Sequence, residues 1–319
     1  MAETKLADVI VPEVWNDYFL EKTAETSVLL NSGILSTDEA IRSKVNGGGN
    51  FVEMPFWTDL TGDDEAGGKG FDGDPLTMDK INAEKDVAVK IFRAKMWGAT
   101  DFADILSGDD PLGRIADRAV AYWNRRKQVA LISSLNGVFD TALASTHVLD
   151  ISGGTGDAAV IGASSTIDAG QKLGDMAGEL QSIAMHSATY AKLQKDQLID
   201  YVEPANAKVR IPTYLGKTIV IDDKMPVDGD VYTTYLFAGG AIGYADINLG
   251  DTAVETDRDT SAGLDTLVTR VGFVMHPRGV KWAVTTANPD NAALATGGNW
   301  QRVYEPKNIR MIAFKHKLA

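Results

Sequence analysis

Between Val11 and Leu35 apolar residues recur near helical spacing, with Val14, Tyr18 and Leu29 on the repeat and Pro12 suited to a first turn, until Asn31-Ser32-Gly33 ends the pattern. This predicts a partly helical N-terminal arm, better suited to lying on other surfaces than to owning a core. Asn46-Gly47-Gly48-Gly49-Asn50 then interrupts regular structure. Phe51 to Trp57 follows as a short strand, and Pro55 within it marks a strand exposed on one side. From Asp86 to Arg93 the period becomes two, with Val87, Val89 and Ile91 alternating with Ala88, Lys90 and Phe92. The polar, glycine-rich segment between these strands is too long for a tight turn, so the pair predicts a long two-stranded flap with a glycine-rich tip. A lone hairpin is marginal in water, which implies support from another surface.

Asp109-Asp110-Pro111 offers an N-cap and a proline at the first helical position. The helix it opens runs to Gly137, with Leu112, Ile115, Ala119, Trp123, Ala130 and Ser134 along one side. At 1.5 Å per residue its length is about 40 Å, long for a globular domain. The Gly, Ser and Ala between Ser152 and Thr166 read as a loop or domain junction. Ile167 to Leu180 then reads as a second helix, Ser182 to Met185 as a buried strand, and Ser187 as the cap of a helix beginning at Ala188. Strands are expected at Ile219 to Ile221, Val231 to Phe237, Leu267 to Val274 and Ile309 to Phe314. Alternating helices and strands indicate a mixed core. The C-terminal strands are expected to fold back against the long helix, which makes that domain discontinuous, with another inserted in it.

Composition narrows the classes. The 319 residues are 44% hydrophobic and 24% charged, an ordinary globular balance with ample material for a core. There is no apolar run of the roughly 18 residues that cross a bilayer. Zero cysteines exclude disulfides, thiolate nucleophiles and cysteine-ligated zinc. A formal charge of −13 argues against gripping many phosphates. It suits a protein that encloses nucleic acid without holding it, and equally one that simply stays soluble when concentrated.

Candidate chemistry is sparse. Gly68-Lys69-Gly70-Phe71-Asp72-Gly73 matches the dinucleotide fingerprint literally, but acidic residues precede it and Asp74-Pro75 follows, where the fingerprint requires a strand and a helix. A flexible flap tip is the better reading. Asp63, Asp64, Glu65, Asp72 and Asp74 gather oxygens that calcium uses, at spacings unlike an EF-hand. The histidines, at 147, 186, 276 and 316, share no ligand spacing; His186 reads as a satisfied, partly buried imidazole and His276 as a turn residue. No cofactor, metal or catalytic residue is assigned. Of the tryptophans, Trp57 on the exposed flap strand is expected to pack between subunits, and Trp123 to lie in the core.

The order of Ile183 to Leu193, Tyr214 to Pro226, Tyr232 to Tyr244, Glu255 to Asp259 and Phe273 to Val280 resembles the axial domain and its surroundings in the major capsid (coat) proteins of tailed bacteriophages. With the flap and the long helix, the likeness covers most of the chain. It implies an α+β Hong Kong 97-type capsid fold: an N-terminal arm (1–49), an extended β-hairpin loop (50–95), a peripheral domain holding the long spine helix (96–151 and 265–319) and an inserted α/β axial domain (152–264).

The resemblance implies a non-enzymatic virion component that self-assembles through pentamers and hexamers into an icosahedral shell enclosing double-stranded DNA. Assembly is expected in the bacterial host cytoplasm, with a portal protein and decoration proteins as partners. Because the chain starts almost directly with the arm, a separate scaffolding protein is expected. Intersubunit contacts are assigned by position to Trp15 and Phe19 on the arm, Trp57, Lys69 and Phe71 on the flap, and Gly239, Gly240 and Gly243 near the capsomer axis. Some members of the family form Lys-to-Asn isopeptide bonds. Lys69 sits where such a lysine stands, but no local pattern supplies its partners, so cohesion is expected to be non-covalent. The alternatives are an encapsulin-like shell around an enzyme cargo and, from another class, a nucleotide-dependent α/β enzyme using Gly68 to Gly73.

Overall fold

Two β-sheets share one core, and the long helix runs between them. The computed structural model describes residues 29, 32–37, 39–60, 78, 80–107, 110–202 and 211–319. Trp15, Phe19, Lys69, Phe71, the Gly68 to Gly73 run and the acidic flap-tip residues lie outside them.

The five-stranded sheet is organised by Leu264–Pro277, which pairs antiparallel with Ile91–Thr100 along one edge. Along its other edge lie Ile242–Ile247 and Val254–Asp259, and Leu35–Thr37 adds a parallel strand beyond the former. The long helix, Pro111–Gly137, is capped by Asp110, whose carboxylate accepts the Gly113 N–H at 2.9 Å. Trp123 on this helix is 7% exposed and donates from Nε1 to Thr269 Oγ1 at 3.0 Å, which ties helix to sheet. The helix ends where Gly137 meets the helix Asn291–Ala295. A Cβ at that glycine would stand 2.2 Å from the Leu294 carbonyl oxygen, so only glycine permits the approach.

The eight-stranded sheet contains, side by side, Val148–Asp150, Met311–His316, Val231–Ala238, Leu180–Met185, Lys217–Ile221, Ile211–Tyr214 and Asp200–Val202, with Val227–Asp228 attached to Val231–Ala238. Its central strands are apolar on both faces, and the period of two divides them cleanly. Tyr235, Phe237, Met311 and Ala313 join the core shared with Leu131, Leu135, Phe273 and Met275, while Leu236, Ile312 and Phe314 enter a second core with Leu173, Leu193 and Tyr214. At about 25 cal/mol per Å² of apolar surface, these two layers dominate the stability of this half.

Several expectations need correction. The strand near Ile309 to Phe314 is Met311–His316 and sits inside the eight-stranded sheet, between Val148–Asp150 and Val231–Ala238; it meets the long helix through the core that Met311 and Ala313 share with Leu131 and Leu135. A strand apolar on both faces needs cover on both, which an interior position supplies. The strand expected at Leu267 to Val274, part of Leu264–Pro277, does pack on the helix. The expected helix from Ile167 to Leu180 is an α-helix over Ala163–Gly170 and a 3-10 stretch over Gln171–Glu179, broken at Gly174 with φ +59°. His186, not Ser187, caps the helix Ser187–Lys195, its Nδ1 accepting from the Ala188 N–H at 3.0 Å. The run from Asp86 to Arg93 is the end of one strand, Ala83–Val89, and the start of another, Ile91–Thr100, divided at Lys90.

Candidate functional site

The flap is built from Phe51–Trp57 and Ala83–Val89, antiparallel with Phe51 opposite Val89 and Trp57 opposite Ala83. Its root is fastened by polar groups that the alternation alone does not reveal. Lys90 is 3% exposed; its backbone N–H donates to the Asn50 carbonyl at 3.0 Å and its ammonium to the Gly47 carbonyl at 2.6 Å. Burial pushes the Lys90 pKa down. Asp86 faces His276 across the junction, Oδ1 to Nε2 at 2.8 Å, and its Oδ2 accepts the Gly279 N–H at 3.2 Å. Both side chains are 2% exposed. Burial opposes the Asp86 charge, but the His276 ring and the Gly279 and Val87 amides more than offset it, and the carboxyl is held below its ordinary value. His276 is therefore a buried strand residue, not the turn residue its Pro277 suggests.

Farther out the flap loses its cover. Phe56 meets Tyr304 edge-on at 4.7 Å, but Trp57 is 68% exposed. Thr58 donates its N–H to the Asn82 carbonyl at 2.9 Å, and beyond it Leu60 and Ile81 face solvent.

A groove of about 1280 Å³ runs between the outer flap and the turn joining the two sheets, lined by Trp57, Ser36, Gly239, Gly240, Arg278 and Tyr304 among others. Gly240 has φ +68°, a conformation that favours glycine, and a Cβ there would meet Ser36 Oγ at 3.0 Å. Trp57, Gly239 and Gly240 thus come together at one surface. Gly243 does not join them; it is buried inside the five-stranded sheet, between Ser36 and His276. Arg278 and Tyr304 were not anticipated, because nothing in their local sequence signals that distant segments converge there.

The other histidines are occupied structurally. His147 Nε2 lies 2.9 Å from the Pro306 carbonyl, and His316 Nε2 lies 2.9 Å from Thr234 Oγ1, with burial pulling the His316 pKa down to about 4. His186 is partly covered, beside Tyr232. Among the described residues no group of three His, Asp or Glu side chains is placed to hold a metal ion. What converges here is shape: an embedded root, an uncovered outer flap and a groove beside it.

Solved structures share this architecture. A cyanophage Pam1 capsid chain superposes with a TM-score of 0.64 at 10% identity, covering 99% of this chain and 98% of the other. An encapsulin from Synechococcus elongatus does so with a TM-score of 0.57 at 9% identity, covering 100% and 98%. The fold is therefore the Hong Kong 97-type α+β fold of shell-forming proteins. At these identities the likeness speaks for fold alone, and the sequence takes the assignment further. Residues 36–309 match the profile of the major capsid protein 13-like family, and the chain is 43% identical to the major capsid protein of Bacillus phage SPP1, over 100% of this chain and 99% of that one. The chain belongs to the major capsid protein 13-like family: it is a bacteriophage major capsid protein, a structural component of the virion capsid and not an enzyme.

Proposed function

We propose that copies of this chain associate as pentamers and hexamers into an icosahedral shell around double-stranded DNA, with the flap of each copy lying over a neighbour. The observation that carries this reading is the flap itself: polar contacts lock its root while Trp57, at its outer end, stays 68% exposed beside an open groove. A large aromatic left uncovered next to a concave surface is the usual composition of an interface. Trp57, Gly239 and Gly240 are the contacts this reading favours, with Trp15 and Phe19 on the arm and Lys69 and Phe71 on the flap tip as further contacts. The net charge of −13 suits a wall that surrounds DNA without adhering to it.

In this reading residues 1–49 form the arm, 50–95 the extended loop, 96–151 and 265–319 the peripheral domain, and 152–264 the axial domain, except that the strand Met311–His316 completes the axial domain's sheet. A separate scaffolding protein, a portal protein and decoration proteins are its partners, and assembly takes place in the host cytoplasm. Electron microscopy of the co-expressed shell tests it. Closed particles with fivefold and sixfold capsomers are expected, and Trp57→Asp should leave a folded subunit that no longer closes them. Particles packed with one cellular enzyme in place of DNA after infection would replace this reading with an encapsulin-like one.

A further inference from the structure

Charge is unevenly placed in this acidic chain. The strand Ile91–Thr100 and the long helix Pro111–Gly137 together carry seven Lys and Arg side chains against one carboxylate, Asp117, while the chain as a whole stands at −13. At 3.6 residues per turn, Arg114, Arg118, Tyr122, Arg125 and Arg126 fall within about a third of the helix circumference. Trp123 and Lys127 leave from the adjoining sector toward the five-stranded sheet, where they meet Thr269 and Tyr244. The cationic sector is therefore a side the helix does not use to pack on that sheet.

The neighbouring strand widens the row. Lys95 lies over the Tyr122 ring at 5.1 Å and the Trp97 ring at 5.9 Å, and the two rings meet edge-on at 5.7 Å. Arg93, two residues back on the same strand face, is held by the Asn288 side chain and the Pro289 carbonyl. Burial lowers the Arg93 pKa and nearby Arg126 adds to that, against Asp290. Lys95, Arg118, Arg125 and Arg126 have no ion pair among the described residues. Cations gathered without partners repel one another, and an anion laid across them relieves that repulsion.

From Arg114 to Arg126 the row is about 18 Å long at 1.5 Å per residue. Duplex DNA presents one negative charge per about 1.7 Å of its axis, so a row of this length faces several phosphates at once. The large groove beside the flap, the kind of concavity in which a peptide's side chains seat, shares none of these residues. A cationic row on a stiff helix suits a stiff polyanion.

We infer that the face formed by Lys95, Arg118, Tyr122, Arg125 and Arg126 binds the phosphate backbone of double-stranded DNA without reading its sequence. The inference rests on the shell reading for its ligand and refines it: the wall as a whole repels DNA, and contact is confined to this face. Full-length subunits are titrated against fluorescent duplexes of about 30 base pairs in two unrelated sequences, with anisotropy read between about 50 and about 200 mM salt. Both sequences should bind alike. Arg118→Gln, Arg125→Gln and Arg126→Gln in one chain should weaken binding equally for both and reduce the steepness of log K against log salt by about 3. Lys172→Gln, Lys195→Gln and Lys217→Gln in one chain remove the same charge from the other half of the subunit and should leave that steepness near its original value. Asp117→Lys, beside the row, should increase it by about 1, a gain that tests the inference even where the triple variant misfolds. Equal losses in the two triple variants would show that net charge alone governs binding and overturn the inference. Closed particles whose subunits bind no duplex would overturn it while leaving the shell reading intact. A row variant that binds duplex normally but no longer closes would also overturn it, assigning the row to an acidic protein surface. Duplex binding by chains that never close would reject the shell reading alone.

Discussion

The two sheets solve the same problem, a long strand that must be covered on both sides, with opposite chemistry. The eight-stranded sheet buries its central strands among apolar side chains, and two buried imidazoles, His316 on one of its strands and His147 at the end of the helix Ala144–His147 beside it, have pKa values lowered by burial. The five-stranded sheet admits charge. A buried carboxylate faces an imidazole at Asp86 and His276, and Val254–Asp259 along its edge is exposed at all six positions, with Arg258 held between Asp101 and Asp265. Charged side chains on an edge strand discourage indiscriminate pairing. The difference separates roles: the centre of the first sheet is a closed core, although its edge strand Asp200–Val202 is exposed, whereas the second fastens the flap on one side and meets solvent on the other.

The largest effect expected to sharpen this contrast comes from His276→Leu. It leaves Asp86 buried without its partner, which costs roughly 3–5 kcal/mol. Hydrogen exchange on the subunit should show the flap root and the five-stranded sheet opening first. Equal loss of protection in both sheets would mean that they unfold as one unit, and the contrast would fail.

Acid should act on the other half. His316 titrates at about 4 when folded and near 6.5 when unfolded, so the unfolded state takes up the proton first. The stability it contributes is complete above about pH 6.5 and falls as the pH drops toward 4, by on the order of 3 kcal/mol. His147 shifts in the same direction. Asp86 has the usual carboxylate sign: held low in the fold, it contributes above its unfolded value and loses that contribution only at more acidic pH. Urea titrations between pH 7 and pH 4 should therefore weaken the eight-stranded sheet first, and His316→Gln should flatten the dependence.

The smallest effect is Asp110→Ala, which removes the cap of the long helix for about 1 kcal/mol. Thermal melts should register it, with the loss confined to the first turns of the helix beside the five-stranded sheet.

Where one local rule determined the structure, the sequence was readable. Asp110 and Pro111 opened the long helix, alternation around Val87 and Val89 marked a flap strand, and Val231 to Phe237 stood out as a strand. It failed where distant segments decide. Met311–His316 has the right propensity, but which sheet it enters depends on partners near Val148 and Val231. His276 beside Pro277 looks like a turn until Asp86, far away in the chain, supplies its partner. The strand Leu35–Thr37 and the helix Glu39–Val45 went unnoticed because they are short and take their cover from other elements. Of the surface, Trp57 and the Gly239-Gly240 turn were legible as large aromatic and glycine signals. The apolar face of the helix Asp101–Ser107 was not, because Phe102 and Ile105 are exposed there at the spacing of an ordinary core helix.

Placing Met311–His316 inside the eight-stranded sheet also sets the order in which the subunit can mature. Its neighbours Val148–Asp150 and Val231–Ala238 emerge from the ribosome well before it does, and until it arrives each has an unpaired inner edge. Closure between segments so far apart in sequence is slow. During that interval the gap is a template that the same strand from another nascent copy fits equally well. The strand that completes each subunit thus also decides whether it matures alone or exchanges a strand with a sibling.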